Sequence, residues 1–229
     1  MAGAPDPLAI RRLYGRRQGH PLRAPALRRL DTLLPTLAVP ADGPLSARRL
    51  FGDDRPLALE IGFGKGEHLA FQARRRPDWG FLGAEPYRNG VAGLLAEVET
   101  LGLGNVRIWQ GDGLDLLERL PPRSLAAVYL LHPDPWPKAR HAKRRFVNPG
   151  PVGLVAERLA PGGEFRMATD HPVQLRHMLA VMQQDPRFEW LAETPADWEG
   201  VPEDWPDTRF GEKARALGHP VWRLAFRRR

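Results

Sequence analysis

Leu57-Ala58-Leu59-Glu60-Ile61-Gly62-Phe63-Gly64-Lys65-Gly66-Glu67 joins an apolar run of strand length to three glycines at alternate positions and then to the start of a helix. An apolar run bounded by glycines is the pattern of a buried parallel strand. The glycines let the backbone turn tightly and approach a ligand with no Cβ in the way. The helix that follows turns its first N–H groups toward that ligand. Taken alone, the stretch is equally a tight strand-to-helix connection.

Glu60 sharpens the reading. Dinucleotide-binding turns place a pyrophosphate here, and a carboxylate repels it. A carboxylate two residues before Gly62 suits a ligand with positive charge, such as the amino group of S-adenosylmethionine. Working outward, Gly80–Glu85 reads as a second strand ending in an acid. Glu85 stands ~20 residues past the glycines, the place from which a carboxylate accepts both ribose hydroxyls of an adenosine. That feature fits nicotinamide dinucleotides and S-adenosylmethionine alike.

Arg88–Leu101 reads as a helix stopped by Gly102 and Gly104, and Val106–Trp109 alternates as a third strand. Asp112-Gly113 follows, with Asp112 placed to cap a helix over Leu114–Leu120 and to accept from an adenine amine. Ser124–Leu131 contains a buried fourth strand. Val152–Leu159 reads as a helix closed by Pro161-Gly162-Gly163, Glu164–Thr169 as a fifth strand running into Asp170, and Val173–Met182 as another helix. Phe188–Leu191 and Val221–Phe226 alternate as closing strands. The alternation predicts an α/β fold with a mostly parallel sheet, an antiparallel last strand and helices on both faces. The acidic 195–207 segment has no reading from sequence alone.

The fourth strand delivers His132-Pro133-Asp134-Pro135-Trp136-Pro137 to the carboxyl edge, where ligands bind in open α/β sheets. Prolines on both sides of Asp134 stiffen its backbone. Lys138-Ala139-Arg140-His141-Ala142-Lys143-Arg144-Arg145 follows, with five formal positive charges in eight residues. Beside an aromatic and a crevice acid, such a run points to phosphate contact rather than a merely solvated face.

The charge balance agrees. The chain of 229 residues carries +7, with a sequence pI near 10.5, which favours a polyanionic partner. Residues 1–30 hold seven arginines against Asp6, whereas residues 185–207 hold eight acids against Arg187. Residues 1–45 read as a basic arm and 46–229 as the catalytic domain. There are no cysteines, which excludes disulfides, thiolate metal sites and cysteine nucleophiles. No metal-ligand spacing, Walker A or Gly-x-Ser-x-Gly sequence is present, and no apolar run is long enough for a bilayer. A cytoplasmic protein, monomeric or homodimeric and without an obligate protein partner, is expected.

These motifs together resemble the bacterial tRNA (guanine-N7)-methyltransferases, class I S-adenosylmethionine-dependent enzymes with a Rossmann-like fold. The resemblance rests on Glu60–Glu67, Glu85-Pro86, and Pro133-Asp134-Pro135-Trp136-Pro137-Lys138 running into the basic segment. Thr169-Asp170, Thr208-Arg209-Phe210 and Arg16-Arg17-Gln18-Gly19 also match. It implies that Glu60, Gly62, Gly64, Gly66, Glu85, Asp112, Gly113 and Asp134 bind S-adenosylmethionine, with Asp134 catalytic. It implies that Lys138, Asp170, Thr208, Arg209, Phe210 and Glu212 hold the substrate. Arg16, Arg17, Arg140, His141, Lys143, Arg144 and Arg145 would meet the tRNA, whose variable-loop guanine is the target. His132 stands where the family has an aromatic or aliphatic residue. Gly211 stands where it has a glutamate, with Glu212 one place later.

Two other enzyme readings remain at this point. An exocyclic-amine methyltransferase on RNA is suggested by Asp134-Pro135-Trp136, although the usual second proline is missing. An NAD-dependent oxidoreductase fits the glycines but not Glu60. A catalytically silent RNA-binding module is disfavoured by the four crevice acids.

Overall fold

The computed structural model describes residues 19–206 and 208–229. Arg16 and Arg17 therefore lie outside the described residues. Among the described residues, three helices, α1 (Ala24–Thr32), α2 (Leu34–Leu37) and α3 (Ala47–Phe51), precede β1 (Leu57–Ile61). Strands and helices then alternate: α4 (Glu67–Arg75), β2 (Gly80–Ala84), α5 (Arg88–Leu101), β3 (Val106–Trp109), α6 (Gly113–Arg119) and β4 (Leu125–Leu131). A 3-10 helix (Ala139–Arg144) leads to α7 (Pro149–Arg158), β5 (Leu159–Thr169), α8 (Pro172–Gln184) and β6 (Phe188–Trp190). The chain closes with α9 (Ala196–Glu199), α10 (Arg209–Ala216) and β7 (Trp222–Arg228). No helix among the described residues is long and apolar enough to cross a membrane.

The strands form one sheet in the order β3-β2-β1-β4-β5-β7-β6. β1 to β5 are parallel, and β7, the last strand, runs antiparallel to both β5 and β6. The order reverses between β1 and β4, which is where an open α/β sheet leaves a crevice at its carboxyl edge.

Side chains alternate across a strand, and β1 shows what that does here. Leu57, Leu59 and Ile61 enter the core shared with Leu50 of α3, Leu116 of α6, Val155 of α7 and Met178 of α8. Ala58 enters the opposite core with Leu30 of α1, Leu69 of α4 and Leu94 of α5. Glu60 lies on that second face, buried at 4% exposure.

Residues 19–45, assigned to the basic arm from composition, are built onto the domain. Leu30, Leu37, Val39 and Leu45 are buried. The Gly19 N–H donates to Asn89 Oδ1 at 2.9 Å, and Arg29 Nε reaches Glu99 at 2.6 Å. Ala38 bridges Ile108 of the edge strand β3, which covers an otherwise open row of backbone groups. Leu30 and Leu37 within the Leu27–Leu37 run carried this packing, while Arg28 is exposed and Arg29 pairs with Glu99 of α5.

Helix ends fall where local chemistry puts them. The Asp112 side chain accepts from Leu114 N–H at 3.0 Å and caps α6, as expected. Gly102, at φ 64°, ends α5. β5 starts earlier than its apolar run suggested, because Leu159 pairs with Leu125 before residues 160–163 bulge out. α10 was not foreseen; Thr208 nucleates it by accepting from Gly211 N–H at 3.2 Å.

Candidate active site

Apart from Glu212, which lies in α10, every acid assigned to the site from sequence sits at or just past the carboxyl end of a parallel strand. Glu60 is on β1, Glu85 follows β2, Asp112 follows β3, Asp134 follows β4 and Asp170 follows β5. This is a consequence of topology, since parallel strands all present the same end to one crevice. A cavity of about 610 Å³ bounded by Ala126, Gly163 and Arg166 lies toward the amino ends of β4 and β5, away from these acids.

The cofactor side is built on the glycine turn. Gly62 and Gly64 adopt φ of 70° and 58°, a backbone region that disfavours side chains. A Cβ on Gly62 would point into open space, so the backbone there is accessible to a ligand. Glu85 braces the turn: its Oε2 accepts from Gly64 N–H at 2.8 Å and its Oε1 from Tyr87 N–H at 2.9 Å. Burial nevertheless raises its carboxyl above the ordinary range, against those two bonds. Gly113 packs so closely on the end of β1 that a Cβ would come within 2.6 Å of Ile61 Cγ2. Asp112 is thereby held beside the glycine turn. An open glycine cradle ringed by acceptors fits a cationic nucleoside and not a pyrophosphate.

The Asp134 turn is held under strain. His132 and Trp136, on either side, adopt φ of 48° and 40°, a conformation costly for side-chain-bearing residues. His132 is tied to β5 by its N–H, which donates to Ala168 O at 2.8 Å. Arg145 ties the other end, donating from Nε to Pro135 O at 3.0 Å and from Nη2 to Trp136 O at 2.9 Å. Asp134 itself is exposed, and the protein around its carboxyl raises its pKa through desolvation.

The basic run divides. Lys138, Arg140 and Lys143 are exposed, and His141 and Arg144 are half-buried. Arg144 lies over the Trp136 ring at 5.0 Å, and His141 meets the same ring edge-on at 5.7 Å. Arg145, assigned with them to RNA contact, turns inward instead, at 7% exposure. Its donors are spent on the Asp134 turn, because a strained loop with free carbonyls needs a fixed donor more than the surface needs a fifth charge.

The substrate side comes from α10. Phe210 is exposed and stacks on His132, centroids 5.7 Å apart at 16°. It also approaches the position of a Gly64 Cβ at 3.5 Å. His132 Nδ1 lies 3.5 Å from Asp170 Oδ1, and burial lowers the His132 pKa despite that acid. Thus Phe210, His132, Asp170 and the glycine turn converge. Thr208 is buried in its capping role, while Arg209 and Glu212 are exposed.

Residues 54–224 match the family model described as "Putative methyltransferase". A curated protein of Zymomonas mobilis named tRNA (guanine-N(7)-)-methyltransferase is 57% identical, covering 97% of this chain and 96% of its own length. The chain belongs to the tRNA (guanine-N7)-methyltransferase family. The relative of the same name in Sphingopyxis alaskensis is also 57% identical, over 98% of this chain and 97% of its own. Membership brings S-adenosylmethionine as cofactor and sets aside the exocyclic-amine and nicotinamide readings. The solved 16S rRNA methyltransferase KamB shares the fold, with a TM-score of 0.55 at 16% identity over 82% of this chain and 96% of that one.

Sequence reasoning missed three parts of the site. Arg145 was legible only as charge. Gly90 of α5, which packs on the Gly64 carbonyl, looked like any helical glycine. His68 and Gln72, spaced i and i+4 on α4, share the helix face turned to Glu60; that spacing was the available signal.

Proposed function

We propose that the crevice acids divide the labour of the family's reaction and that the guanine methylated lies in the variable loop of tRNA in the cytoplasm. The reaction is transfer of a methyl group from S-adenosylmethionine to N7 of guanine in tRNA. When bound, S-adenosylmethionine supplies the electrophilic methyl of a sulfonium. Glu60 would receive its amino group, Glu85 its ribose hydroxyls and Asp112 its adenine amine, with the 62–66 backbone and Gly113 in close contact.

Guanine N7 has an in-plane lone pair and no proton at neutral pH. The protein therefore needs no general base; it must align N7 and exclude other geometries. Phe210 and Trp136 offer faces on which an unstacked base can lie. Asp134, fixed by Arg145, offers a carboxylate to the guanine edge and to the positive charge that the purine gains on methylation. Lys138, Asp170 and the 208–212 segment hold the rest of the nucleotide. Lys138, Arg140, His141, Lys143 and Arg144 meet the phosphates, joined by Arg16 and Arg17. No partner protein is required, and the chain acts as a monomer or homodimer.

The single observation that carries this reading is the convergence of the glycine turn with Phe210, His132 and Asp170 beside the braced Asp134. Its test is Asp134→Ala assayed on bulk tRNA with labelled donor and nucleoside analysis. We expect 7-methylguanosine formation to fall by ~10²–10³-fold with an unchanged unfolding temperature. Near-normal turnover removes Asp134 from catalysis.

A further inference from the structure

We propose that His68 is a positioning residue that presents Glu60 to the cofactor, and that the acidic segment around Asp204 sets its protonation pattern through Gln72. The proposal rests on the assignment of Glu60 to the cofactor's amino group. It gives a role to a segment that the sequence left unread.

Glu60 cannot hold its own rotamer by contact with solvent, since it is buried. Its Oε2 accepts from His68 Nδ1 at 2.7 Å. Oε1 is then the oxygen available to a ligand amine. His68 is itself locked: at 2% exposure it meets the Tyr129 ring edge-on at 4.7 Å and lies against Trp205 at 5.2 Å.

The tautomer follows from the next link. Gln72 Nε2 lies 2.7 Å from the Asp204 backbone oxygen and 3.2 Å from His68 Nε2. A carbonyl oxygen only accepts, so the amide group facing it is the NH₂. That group has two hydrogens, one for Asp204 O and one for His68 Nε2. His68 Nε2 is therefore the acceptor, and the ring proton sits on Nδ1, where it donates to Glu60. The assignment comes from the network and not from observed hydrogens. Gln72 Oε1 is buried with no hydrogen-bond partner among the described residues. Turning the amide over to relieve that atom would set two carbonyl oxygens 2.7 Å apart, so the present orientation wins.

Asp204 is anchored in turn. Arg166 Nη2 donates to its Oδ1 at 2.8 Å, Arg166 Nη1 contacts its Oδ2, and Arg76 lies 3.5 Å away. The hydrogen bond from Arg166 is the main reason the Asp204 carboxyl sits below its ordinary range. An unbroken chain thus runs from Arg166 on β5 through Asp204, Gln72 and His68 to Glu60 on β1. A carboxylate presented by a fixed neutral donor is preorganised for a ligand amine, and the gain appears in affinity rather than in the chemical step.

The experiment compares His68→Ala, His68→Asn, Gln72→Leu and Glu60→Gln by calorimetric binding of S-adenosylmethionine, by kcat and KM, and by thermal unfolding. His68→Ala should raise Kd and KM for S-adenosylmethionine roughly tenfold or more, with kcat at saturating cofactor within about twofold. His68→Asn, whose amide N–H can replace Nδ1–H, should recover most of the affinity. Long-range proton–nitrogen NMR of labelled histidine should show His68 as the Nδ1–H tautomer with Nε2 bare, and Gln72→Leu, which removes the amide donor facing Nε2, should let Nε2 take up a proton while Nδ1–H stays on Glu60. An Nε2–H tautomer in the unaltered protein, or equal losses in His68→Asn and His68→Ala, overturns the proposal. If Glu60→Gln binds cofactor normally, the assignment of Glu60 fails. If Glu60→Gln weakens binding and His68→Ala does not, only the positioning role fails.

Discussion

Gly90→Ala sets helix propensity against packing. Gly90 lies in the first turn of α5, in ordinary helical backbone. On propensity alone, alanine there should stabilise the helix by ~0.8–1 kcal/mol. In the folded protein the added Cβ would stand 2.2 Å from the Gly64 carbonyl oxygen and 3.2 Å from Glu85 Cγ. The nearer clash cannot be relieved by swinging a flexible side chain, because its atom is backbone. Either α5 or the glycine turn has to move by about an ångström, at an overpacking cost of ~1–3 kcal/mol. The net expectation is a loss of ~0–2 kcal/mol, or up to several degrees in Tm at ~2–4 °C per kcal/mol for a chain this size. The larger effect falls on the cofactor, since a misplacement of ~1 Å can cost ~10²-fold. Gly93→Ala, whose Cβ would meet Lys65 atoms at 3.1–3.2 Å, should show the same effect in weaker form. Gly153→Ala in α7, where the nearest atom is the flexible end of Arg187 at 3.4 Å, should gain stability from propensity and leave binding alone. The assay is urea unfolding together with S-adenosylmethionine calorimetry on the three variants. A Gly90→Ala protein that is more stable and binds normally would refute the claim that α5 is packed directly on the turn.

Other consequences concern the basic run and Asp134. Arg145→Ala should destabilise the fold by ~1.5–3 kcal/mol, through partly buried carbonyls left without their charged donor, and lower turnover while leaving the salt dependence of tRNA binding intact; chemical unfolding, a methyl-transfer assay and a salt titration of the same variant check each part. Arg140→Ala with Lys143→Ala should do the reverse. The slope of log affinity against log salt should fall by about one for each phosphate no longer neutralised, at unchanged stability, as fluorescence titration over a salt series would show. Desolvation by the protein around it raises the Asp134 carboxyl, so it takes up a proton at a pH above the ~3.9 of a free aspartate. Activity that needs the ionised form must fail as pH is lowered through that raised value. Asp134→Asn should remove this acid limb from the pH–rate profile.

The lineup of Glu60, Glu85, Asp112, Asp134 and Asp170 was legible in the sequence because strand period and glycine punctuation are local signals. Once strands run parallel, the residues that follow them must share one edge. The same holds for the Asp112 cap, which needs only its neighbours. The prolines announced a stiff turn at Asp134 but not the left-handed backbone of His132 and Trp136, since a residue before proline is locally biased to extended backbone; the groups that hold the turn, Ala168 O and Arg145, come from elsewhere in the fold. Whether Arg145 points out to phosphate or in to a carbonyl depends on which unsatisfied groups the fold brings near it, and charge counting cannot see those. The packing of residues 24–45 was masked by the arginines crowded into residues 11–29, since composition averages over a stretch and over the two sides of a helix. The link from Glu60 to His68, Gln72 and Asp204 spans a strand, a helix and a segment more than a hundred residues away. Only the tertiary structure could make it, because a buried polar group selects its partners by proximity in space, under the penalty for leaving a donor or acceptor unmet.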